Sequence, residues 1–292
     1  MTTDAMTLTP ARPLPKPARR PRKAKPSRSW NTAAGHLVMV VLAIFCLFPV
    51  YWMIVSSLRP ANAIFETTLW PSTASLDNYS YALKAIPILR MLVNTLVVAA
   101  TVTVVQLFTG LLAAYAFARW RFPCDKLIYT LIALTWLVPF QVVMIPNYLL
   151  VANLGLLDNL LALILPHFAA ALAILMLAQS MRSFPREVLE AARMDGARSW
   201  RILWEIVTPN LRGTIASLAI LIFISTWNEY FWPLLLSRSP QNSVVQIGIQ
   251  MFMSSEGTQW GPLMAASTLA SLPILVIYVV LQRQAFMKSG IR

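Results

Sequence analysis

The feature that most constrains this chain is a series of long stretches with almost no charged residues. Six of them can supply the roughly 20 helical residues that a hydrocarbon core requires. Because lipid offers no hydrogen-bond partners to backbone N–H and C=O groups, such segments are expected to be α-helical. The predicted membrane spans cover residues 37–58, 91–118, 127–150, 159–181, 213–236 and 261–282.

Composition indicates an integral membrane protein rather than a soluble one. Among the 292 residues, 58% are apolar and 12% are charged, and the mean hydropathy is +0.63. One soluble core cannot bury that share of apolar surface, so the excess must face lipid. The sequence therefore predicts an all-α integral membrane protein with about six transmembrane helices and a short helical cytosolic loop between helices 4 and 5.

The positive charges are distributed unevenly between the predicted loops. Of the 24 Lys and Arg residues, 20 fall in the two termini and in the loops after spans 2 and 4. Such loops usually lie in the cytosol, so both termini are predicted to be cytosolic and residues 59–90 external. This bias accounts for the formal charge of +13. Nucleic acid is not expected as a partner, because no basic segment also carries base-stacking aromatic residues.

Residues 1–35 form a separate region, which precedes a predicted transmembrane domain at residues 36–292. They hold eight Lys or Arg residues, six prolines and one acid, Asp4. Such a composition cannot bury a core, so we expect a disordered cytosolic arm, whose cations could bind anionic membrane lipid. A cleaved signal peptide is the alternative, since Ala61-Asn62-Ala63 resembles a cleavage site. The preceding uncharged stretch, however, is longer than an ordinary signal h-region.

The predicted loop at residues 182–212 has the pattern of two short helices joined by an elbow. In the first helix, Pro185 suits the first turn, where its missing N–H does no harm. Arg186 and Glu190 are spaced for an i, i+4 ion pair. Gly196 can take the left-handed conformation that ends many helices, so this helix should end near Asp195.

Two residues delimit the second helix of the loop. The Ser199 hydroxyl can cap its start, and Pro209 should stop it just before the next span. Between them, Arg201 and Glu205 are spaced for a second ion pair. The two short helices together would form a rigid surface element.

The first helix of the loop carries a small, flat surface. Ala191 and Ala192 would let another protein's backbone approach closely, while Val188, Leu189 and Met194 would supply an apolar anchor. This combination suits a docking element for a partner protein. The alternative is an amphipathic loop lying on the membrane surface, with lipid-facing side chains at Leu189, Trp200, Leu203 and Trp204.

The same loop carries a family motif. Glu190-Ala-Ala, two further residues, Asp195-Gly-Ala and a proline thirteen residues after Gly196 resemble the EAA loop of ATP-binding-cassette (ABC) importer permeases. Four other segments are similar to the carbohydrate-uptake, maltose-permease-like branch of these permeases: residues 94–96, 114–123, 154–158 and 227–235. Two positions depart from the family pattern, Thr208 before the proline and Cys124 after Phe-Pro.

This resemblance implies a permease subunit in a bacterial cytoplasmic (inner) membrane. Such a subunit moves a sugar or related polar solute, whether a saccharide, a polyol or a glycerol-phosphate compound, into the cytoplasm. The implied partners are a paralogous permease that completes a heterodimer, two cytosolic ATPase subunits and an extracytoplasmic solute-binding protein. ATP and magnesium would bind to the partner subunits. The residues implied to couple this chain to the ATPase are Glu190, Ala191, Ala192, Asp195, Gly196, Ala197 and Pro209.

The sequence shows no sign of catalysis or of a metal site. It contains no Walker A loop, and its two histidines do not combine with acids or hydroxyls into a catalytic or metal-ligand pattern. Cys46 and Cys124 are too far apart in sequence for a CxxC pair, and we expect both to be inert packing residues. We therefore predict no enzymatic activity and no cofactor bound by this chain.

Polar residues within the predicted spans are the candidates for a substrate path. Uncharged polar side chains there suit a hydroxyl-rich solute, although for His167 a hydrogen bond to a neighbouring helix is favoured over a proton relay. Glu229 is the only acid embedded in an apolar run, which makes it a functional candidate. The path candidates are Gln106, Gln141, Asn147, His167, Asn228 and Glu229.

The depth of Glu229 suggests an alternative role. Counting from Arg212, it lies roughly 25 Å along the helix axis. Its aromatic neighbours Trp227, Tyr230, Phe231 and Trp232 are typical of an outer interfacial belt. Glu229 would then face water or the binding protein rather than the solute.

Two other functions compete with that of an importer subunit. A carrier driven by protons or sodium normally has more helices, arranged as internal repeats, and carries acids at mid-membrane. A scaffold protein, whose loop merely docks a partner, would differ in that no ATPase copurifies with it.

Overall fold

The computed structural model describes residues 29–254 and 257–286. Most of the predicted basic arm, residues 1–28, lies outside the described residues, and residues 29–35 are helical. Helix α1 (Ser29–Ser57) contains Pro49, which is the last residue of the first of two compact units. In that unit the apolar side chains of α1 are exposed, as at Leu37 and Phe45.

The second unit begins at Val50 and includes a segment ordered by a buried arginine. A 3-10 turn (Ala61–Ala63) and helix α2 (Asp77–Ala85) follow α1. The fully buried Arg59 donates to the carbonyls of Glu66 and Thr68, and its guanidinium lies 4.6 Å from the centre of the Trp52 ring. The Arg59 side chain therefore connects the last turns of α1 to the segment around residues 66–68.

Helix α3 (Ile88–Arg119) is the central helix of the unit. One face of it is buried at helical spacing, including Met91, Val98, Val102 and Ala114. This face packs against helices α7 (Ala171–Arg182) and α11 (Arg212–Trp227). The contact with α7 is close because Gly110 has no side chain: a Cβ atom there would lie 3.2 Å from Ala173 Cβ.

The predicted third span is broken into two helices. Helices α4 (Asp125–Thr135) and α5 (Phe140–Asn153) meet at 96°, so residues 127–150 are not one straight helix. Pro139 lies at the break and Pro146 lies within α5. A proline removes a backbone donor, which allows such a break. Cys124, at the start of α4, has a φ of 61°, a conformation that glycine adopts at less cost.

The predicted fourth span is also interrupted. Helix α6 (Leu160–Ile164) continues into a 3-10 turn (Leu165–His167), and α7 follows after a bend of 43°. Two side chains of α3 satisfy carbonyls at this break. Gln106 Nε2 donates to His167 O at 2.8 Å, and the Thr109 hydroxyl lies 2.8 Å from Phe168 O.

The remaining elements follow α7 in chain order. They are α8 (Arg186–Met194), α9 (Ser199–Arg201), a π-helical turn (Ile202–Val207), α10 (Thr208–Asn210), α11, α12 (Phe231–Leu236), a 3-10 turn (Pro240–Asn242), α13 (Val245–Gln250), strand β1 (Met253–Ser254), strand β2 (Gly257–Thr258) and α14 (Trp260–Phe286). The two strands form an antiparallel pair.

The architecture is that of an all-α membrane protein. By length and composition, three helices in the described residues can cross a membrane, or up to six if each bent pair counts as one span. One bent pair is Ser199–Asn210 with Arg212–Trp227, at 79°. Helix α11 itself ends at Trp227, whereas the fifth predicted span continued to residue 236. Cys46 and Cys124 are exposed rather than packed, which contradicts the role expected for them.

Asp158 joins two distant loops of the second unit. It has a φ of 60° and precedes α6. Its carboxylate accepts hydrogen bonds from the Ser239 hydroxyl (2.7 Å) and from the backbone N–H groups of Arg238 (2.9 Å) and Ser239 (3.0 Å). Asn242 Nδ2 donates to the Asp158 carbonyl. These bonds, the Ser239 hydroxyl first, lower the pKa of Asp158 to about 2.

We expect Asp158→Asn to destabilise the purified protein by about 1 kcal/mol at neutral pH. The amide keeps one oxygen for the two backbone N–H groups, but its NH2 group replaces the oxygen that accepts from Ser239 and Asn242, and solvent screening at this accessible site keeps the effect small. Because folding lowers this pKa, the wild-type advantage is fully present above pH 4 and is lost as pH falls towards 2. Thermal unfolding in detergent from pH 7 to 2 measures both. Asp77→Asn, which removes an exposed carboxylate, is the control. An advantage that grew on acidification would contradict the assignment.

Candidate functional site

Helix α8 ends in a complete Schellman motif. Gly196 has a φ of +78°. The N–H of Gly196 bonds to Arg193 O at 2.9 Å, and that of Ala197 bonds to Ala192 O at 3.0 Å. These are the two bonds that define the motif, with Gly196 at the left-handed position. No atom lies within 4 Å of a Cβ built on Gly196, so backbone conformation alone requires glycine there.

One side of helix α8 faces solvent and the other packs on the protein. Glu190, Ala191, Asp195 and Gly196 are exposed, and Met194 is 89% exposed. Ala192 is buried in the main core, against which Leu189 also packs. The flat surface predicted for Ala191 and Ala192 together is therefore divided: Ala191 is open to a partner, and Ala192 fixes the helix to its own chain.

The helix-helix connection differs from the predicted pattern at several points. Arg198, not Ser199, is the N-cap residue of α9, without a side-chain capping bond. Arg201 and Glu205 pair as predicted, at 2.7 Å. In the described residues, the ion pairs are Arg121–Asp125 and this one, so Arg186 and Glu190 do not pair.

Pro209 lies inside the continuing helical segment rather than just after its end. It belongs to α10, which follows the π-helical turn directly. Pro209 cannot donate to the carbonyl of Glu205 four residues earlier, so the regular hydrogen-bond ladder is interrupted here. The 79° bend into α11 follows. Thus α8 and α11 are joined by a non-helical elbow at residues 195–198 and a short, irregular helical segment from Ser199 to Asn210.

A cavity of about 210 Å³ lies between α3, the α6–α7 break and the end of α11. Gln106, His167 and Glu229 all line it, so the structure brings together three of the predicted path residues. Gln106 is buried and donates to the backbone of His167. His167 Nδ1 lies 3.1 Å from Leu163 O. These bonds fix the positions of both polar side chains in the wall.

Glu229 stands in the gap between α11 and α12. One of its carboxylate oxygens accepts from the N–H of Trp232 at 3.3 Å, which supports the start of α12. Trp227 and Trp232 are each only 1% exposed, and the Trp232 indole donates to Ala162 O. Both tryptophans are therefore core residues, whereas Tyr230 is half-buried and Phe231 exposed, so only these two of the four aromatic residues remain as candidates for the predicted interfacial belt.

The other predicted path residues lie outside this cavity wall. Gln141 is exposed on α5, and Asn147 is half-buried on the same helix. Asn228 is exposed and bonds to Ile224 O and to the Gln246 side chain.

Three hydroxyl residues that were not predicted as path residues also line the cavity: Thr95, Ser225 and Thr226. Thr95 bonds within the protein, to Met91 O and from the N–H of Val245. Ser225 and Thr226 lie about one helical turn before Glu229, and that spacing could have identified them in the sequence as neighbours of Glu229. In the described residues, no group of three or more His, Cys, Asp and Glu side chains could hold a metal ion.

The helical architecture, the wall of polar groups and the projecting helix α8 define a membrane permease. The chain belongs to the family of binding-protein-dependent transport system inner membrane components, whose pattern matches residues 106–285. The resemblance to ABC-importer permeases is thereby confirmed. Membership makes the chain a multi-pass inner-membrane component rather than an enzyme, and one that works with a solute-binding protein.

Two similar proteins extend across most of the chain. The sn-glycerol-3-phosphate transport system permease protein UgpE of Shigella flexneri serotype 5b (strain 8401) is 34% identical over 273 residues, covering 90% of this chain and 97% of its own. The lactose transport system permease protein LacG of Rhizobium radiobacter is 30% identical over 247 residues, covering 85% and 90%.

Two solved structures share the fold. A bacterial ABC transporter that imports the acidic polysaccharide alginate matches with a TM-score of 0.76 at 23% identity, over 90% of this chain and 99% of its own. The alginate transporter in complex with a pentasaccharide-bound periplasmic protein matches with a TM-score of 0.65 at 17% identity, over 90% and 96%. At these identities the match establishes the fold.

We expect Gln106→Leu to lower stability by about 1–3 kcal/mol, because the carbonyl of His167 would lose its partner in a buried setting. The thermal midpoint of the purified protein measures this. Gln141→Leu makes the same change on α5, away from the cavity, and should have little effect. Equal midpoints for the two variants would show that the bond to His167 is not needed.

Proposed function

We propose that the chain is a permease subunit of an ABC importer that moves a sugar or related polar solute into the cytoplasm. The observation that carries the proposal is helix α8: an exposed helix with a rigid glycine-dependent end, followed by an elbow and an irregular helical segment that leads into α11. The lactose permease among the similar proteins supports a saccharide substrate.

Helix α8 would couple the chain to an ATPase. In this proposal Glu190, Ala191, Asp195 and Gly196 contact the partner, because they are exposed. Ala192, Ala197 and Pro209 act from within, since they tie the helix to the core and to α11. When the ATPase subunits close on ATP, a displacement of α8 would move α11, which borders the cavity. Coupling then follows from contacts that differ between two states.

The assembly would contain several chains. It comprises this permease, a paralogous permease as heterodimer partner, two ATPase subunits that bind ATP and magnesium, and a solute-binding protein outside the membrane. Both termini and α8 would lie in the cytosol, as the distribution of Lys and Arg predicts. The basic arm at residues 1–35 would then lie beside anionic lipid of the inner leaflet.

The solute would pass the cavity that contains Gln106, His167 and Glu229. Its polar groups lie next to breaks in two helices, and interrupted helices beside a cavity are a common way to expose backbone and side-chain polar groups inside a membrane. Gln141, Asn147 and Asn228 lie outside this wall, so we do not propose that they contact the solute.

Copurification tests the proposed function. The tagged chain, expressed with its native neighbours and purified in detergent, should carry stoichiometric ATPase and permease partners. Its ATPase activity should rise when a solute-loaded binding protein is added. If the chain purifies alone and ATP hydrolysis is absent, the importer proposal fails, and the carrier and scaffold alternatives return.

Gly196→Val should uncouple transport from ATP hydrolysis. A β-branched residue is strained at a φ of +78°, so the C-terminal end of α8 should unwind. We expect solute uptake per ATP hydrolysed to fall at least tenfold in proteoliposomes, with basal ATPase activity retained. Asn, which tolerates the left-handed conformation better than other residues, makes Gly196→Asn the matched control. Wild-type coupling in the Val variant would refute this role.

A further inference from the structure

The wall of the cavity is rich in hydrogen-bond acceptors. Gln106 donates one of its two Nε2 hydrogens to His167 O, so its Oε1 atom remains to accept and one N–H remains to donate. His167 Nδ1 faces Leu163 O. A carbonyl oxygen only accepts, so Nδ1 carries the proton and Nε2 of the neutral ring is an acceptor. The bond from Gln106 Nε2 to His167 O and the bond from His167 Nδ1 to Leu163 O therefore hold the two acceptor atoms, Gln106 Oε1 and His167 Nε2, in position.

Glu229 adds the strongest acceptor of the wall. One carboxylate oxygen receives a long bond from the N–H of Trp232, and the second oxygen has no protein donor among the described residues. No Lys or Arg lies within ion-pair distance of Glu229 in the described part of the chain. Among the described residues, its carboxylate therefore lines the cavity with no Lys or Arg beside it, and His167 is the titratable side chain of the wall that lies near it.

The remaining polar groups of the wall are hydroxyls and carry no charge. Ser225 and Thr226 lie on the same face of α11 as Glu229, and a hydroxyl either donates or accepts. The Thr95 hydroxyl bonds within the protein, and the other lining side chains are apolar, among them Leu163, Ile222 and Trp232. Apolar surroundings screen a charge only weakly. The negative charge of Glu229 therefore repels an anion that contacts this wall.

We propose that this wall selects a solute that donates hydrogen bonds and carries no negative charge, with Glu229 as the specificity-determining residue. The inference rests on the proposed importer function. A neutral polyhydroxyl compound, such as a sugar or polyol, offers one donor per hydroxyl to Glu229, His167 Nε2 and Gln106 Oε1. A phosphate ester or a uronate brings a charged group that only accepts and that Glu229 repels. The substrate class thus differs from that named for the glycerol-3-phosphate permease, despite 34% identity.

The first test compares neutral and anionic probes. The importer, purified with its native neighbours and its own binding protein, is placed in proteoliposomes with ATP supplied at the face that bears the ATPase. Uptake is measured for maltose, lactose and sorbitol, and for sn-glycerol-3-phosphate, glucuronate and alginate oligosaccharides, and mass spectrometry identifies the ligand that the binding protein carries. We expect a neutral ligand and uptake confined to neutral solutes.

The second test changes the charge of Glu229 alone. Glu229→Gln keeps an oxygen that can accept from the N–H of Trp232, so the start of α12 is preserved. Loss of a charge-assisted bond to the solute should lower solute uptake per ATP hydrolysed by about tenfold. The elution profile of the purified complex should not change, which shows that the variant still assembles. Glu66→Gln, the same substitution outside the cavity, should match the wild type. An unchanged uptake ratio in Glu229→Gln would overturn the role of Glu229.

The two proposals fail in different ways. If ATP drives uptake of an anionic probe at a rate comparable with neutral solutes, the importer stands and the selection of neutral solutes is wrong. If no ATPase copurifies and ATP drives no uptake of any probe, the proposed function is wrong, and this inference falls with it.

Discussion

A membrane supplies no hydrogen bonds, and this constraint governs the second unit of the chain. Wherever an apolar helix is interrupted, the exposed carbonyls need partners from the protein itself. At the break before α7, Gln106 and Thr109 of α3 meet the carbonyls of His167 and Phe168. Helix α3 can reach them because Gly110 lets it approach α7 closely. The polar cavity is the result: a broken helix brings polar groups together that an unbroken span would keep apart.

The loop that contains α8 is expected to lie in water, where solvent can bond to exposed backbone groups. Its stability depends on local chemistry: the Schellman motif at Gly196, the Arg201–Glu205 pair, and the burial of Ala192 in the core. Such local bonds make the helix rigid while leaving Glu190, Ala191 and Asp195 exposed. A rigid helix with an open surface is what a partner needs in order to push on the rest of the chain.

Local signals in the sequence predicted the parts of the protein that depend on local chemistry. Apolar stretches gave the fold class, and the loop motif gave the family and the left-handed Gly196. Non-local contacts decided the rest. Ser199 was expected to cap a helix, but the preceding residue takes that place. Trp227 and Trp232 resemble an interfacial belt by sequence, and only the packing of α3, α6 and α13 around them shows that they are buried. Which face of α11 meets the cavity, and hence the roles of Ser225 and Thr226, depends on that same packing.

The loop between α12 and α13 has a consequence for biosynthesis. It supplies the partners of Asp158, and also those of the buried Asn94, whose side chain donates to the carbonyls of Gln241 and Ser243, 147 and 149 residues later. Until the ribosome has released this loop, Asn94 and Asp158 lack their protein partners. The nascent chain therefore cannot complete its fold span by span. The segments before this loop complete their hydrogen bonds only after residues 238–243 have been synthesised.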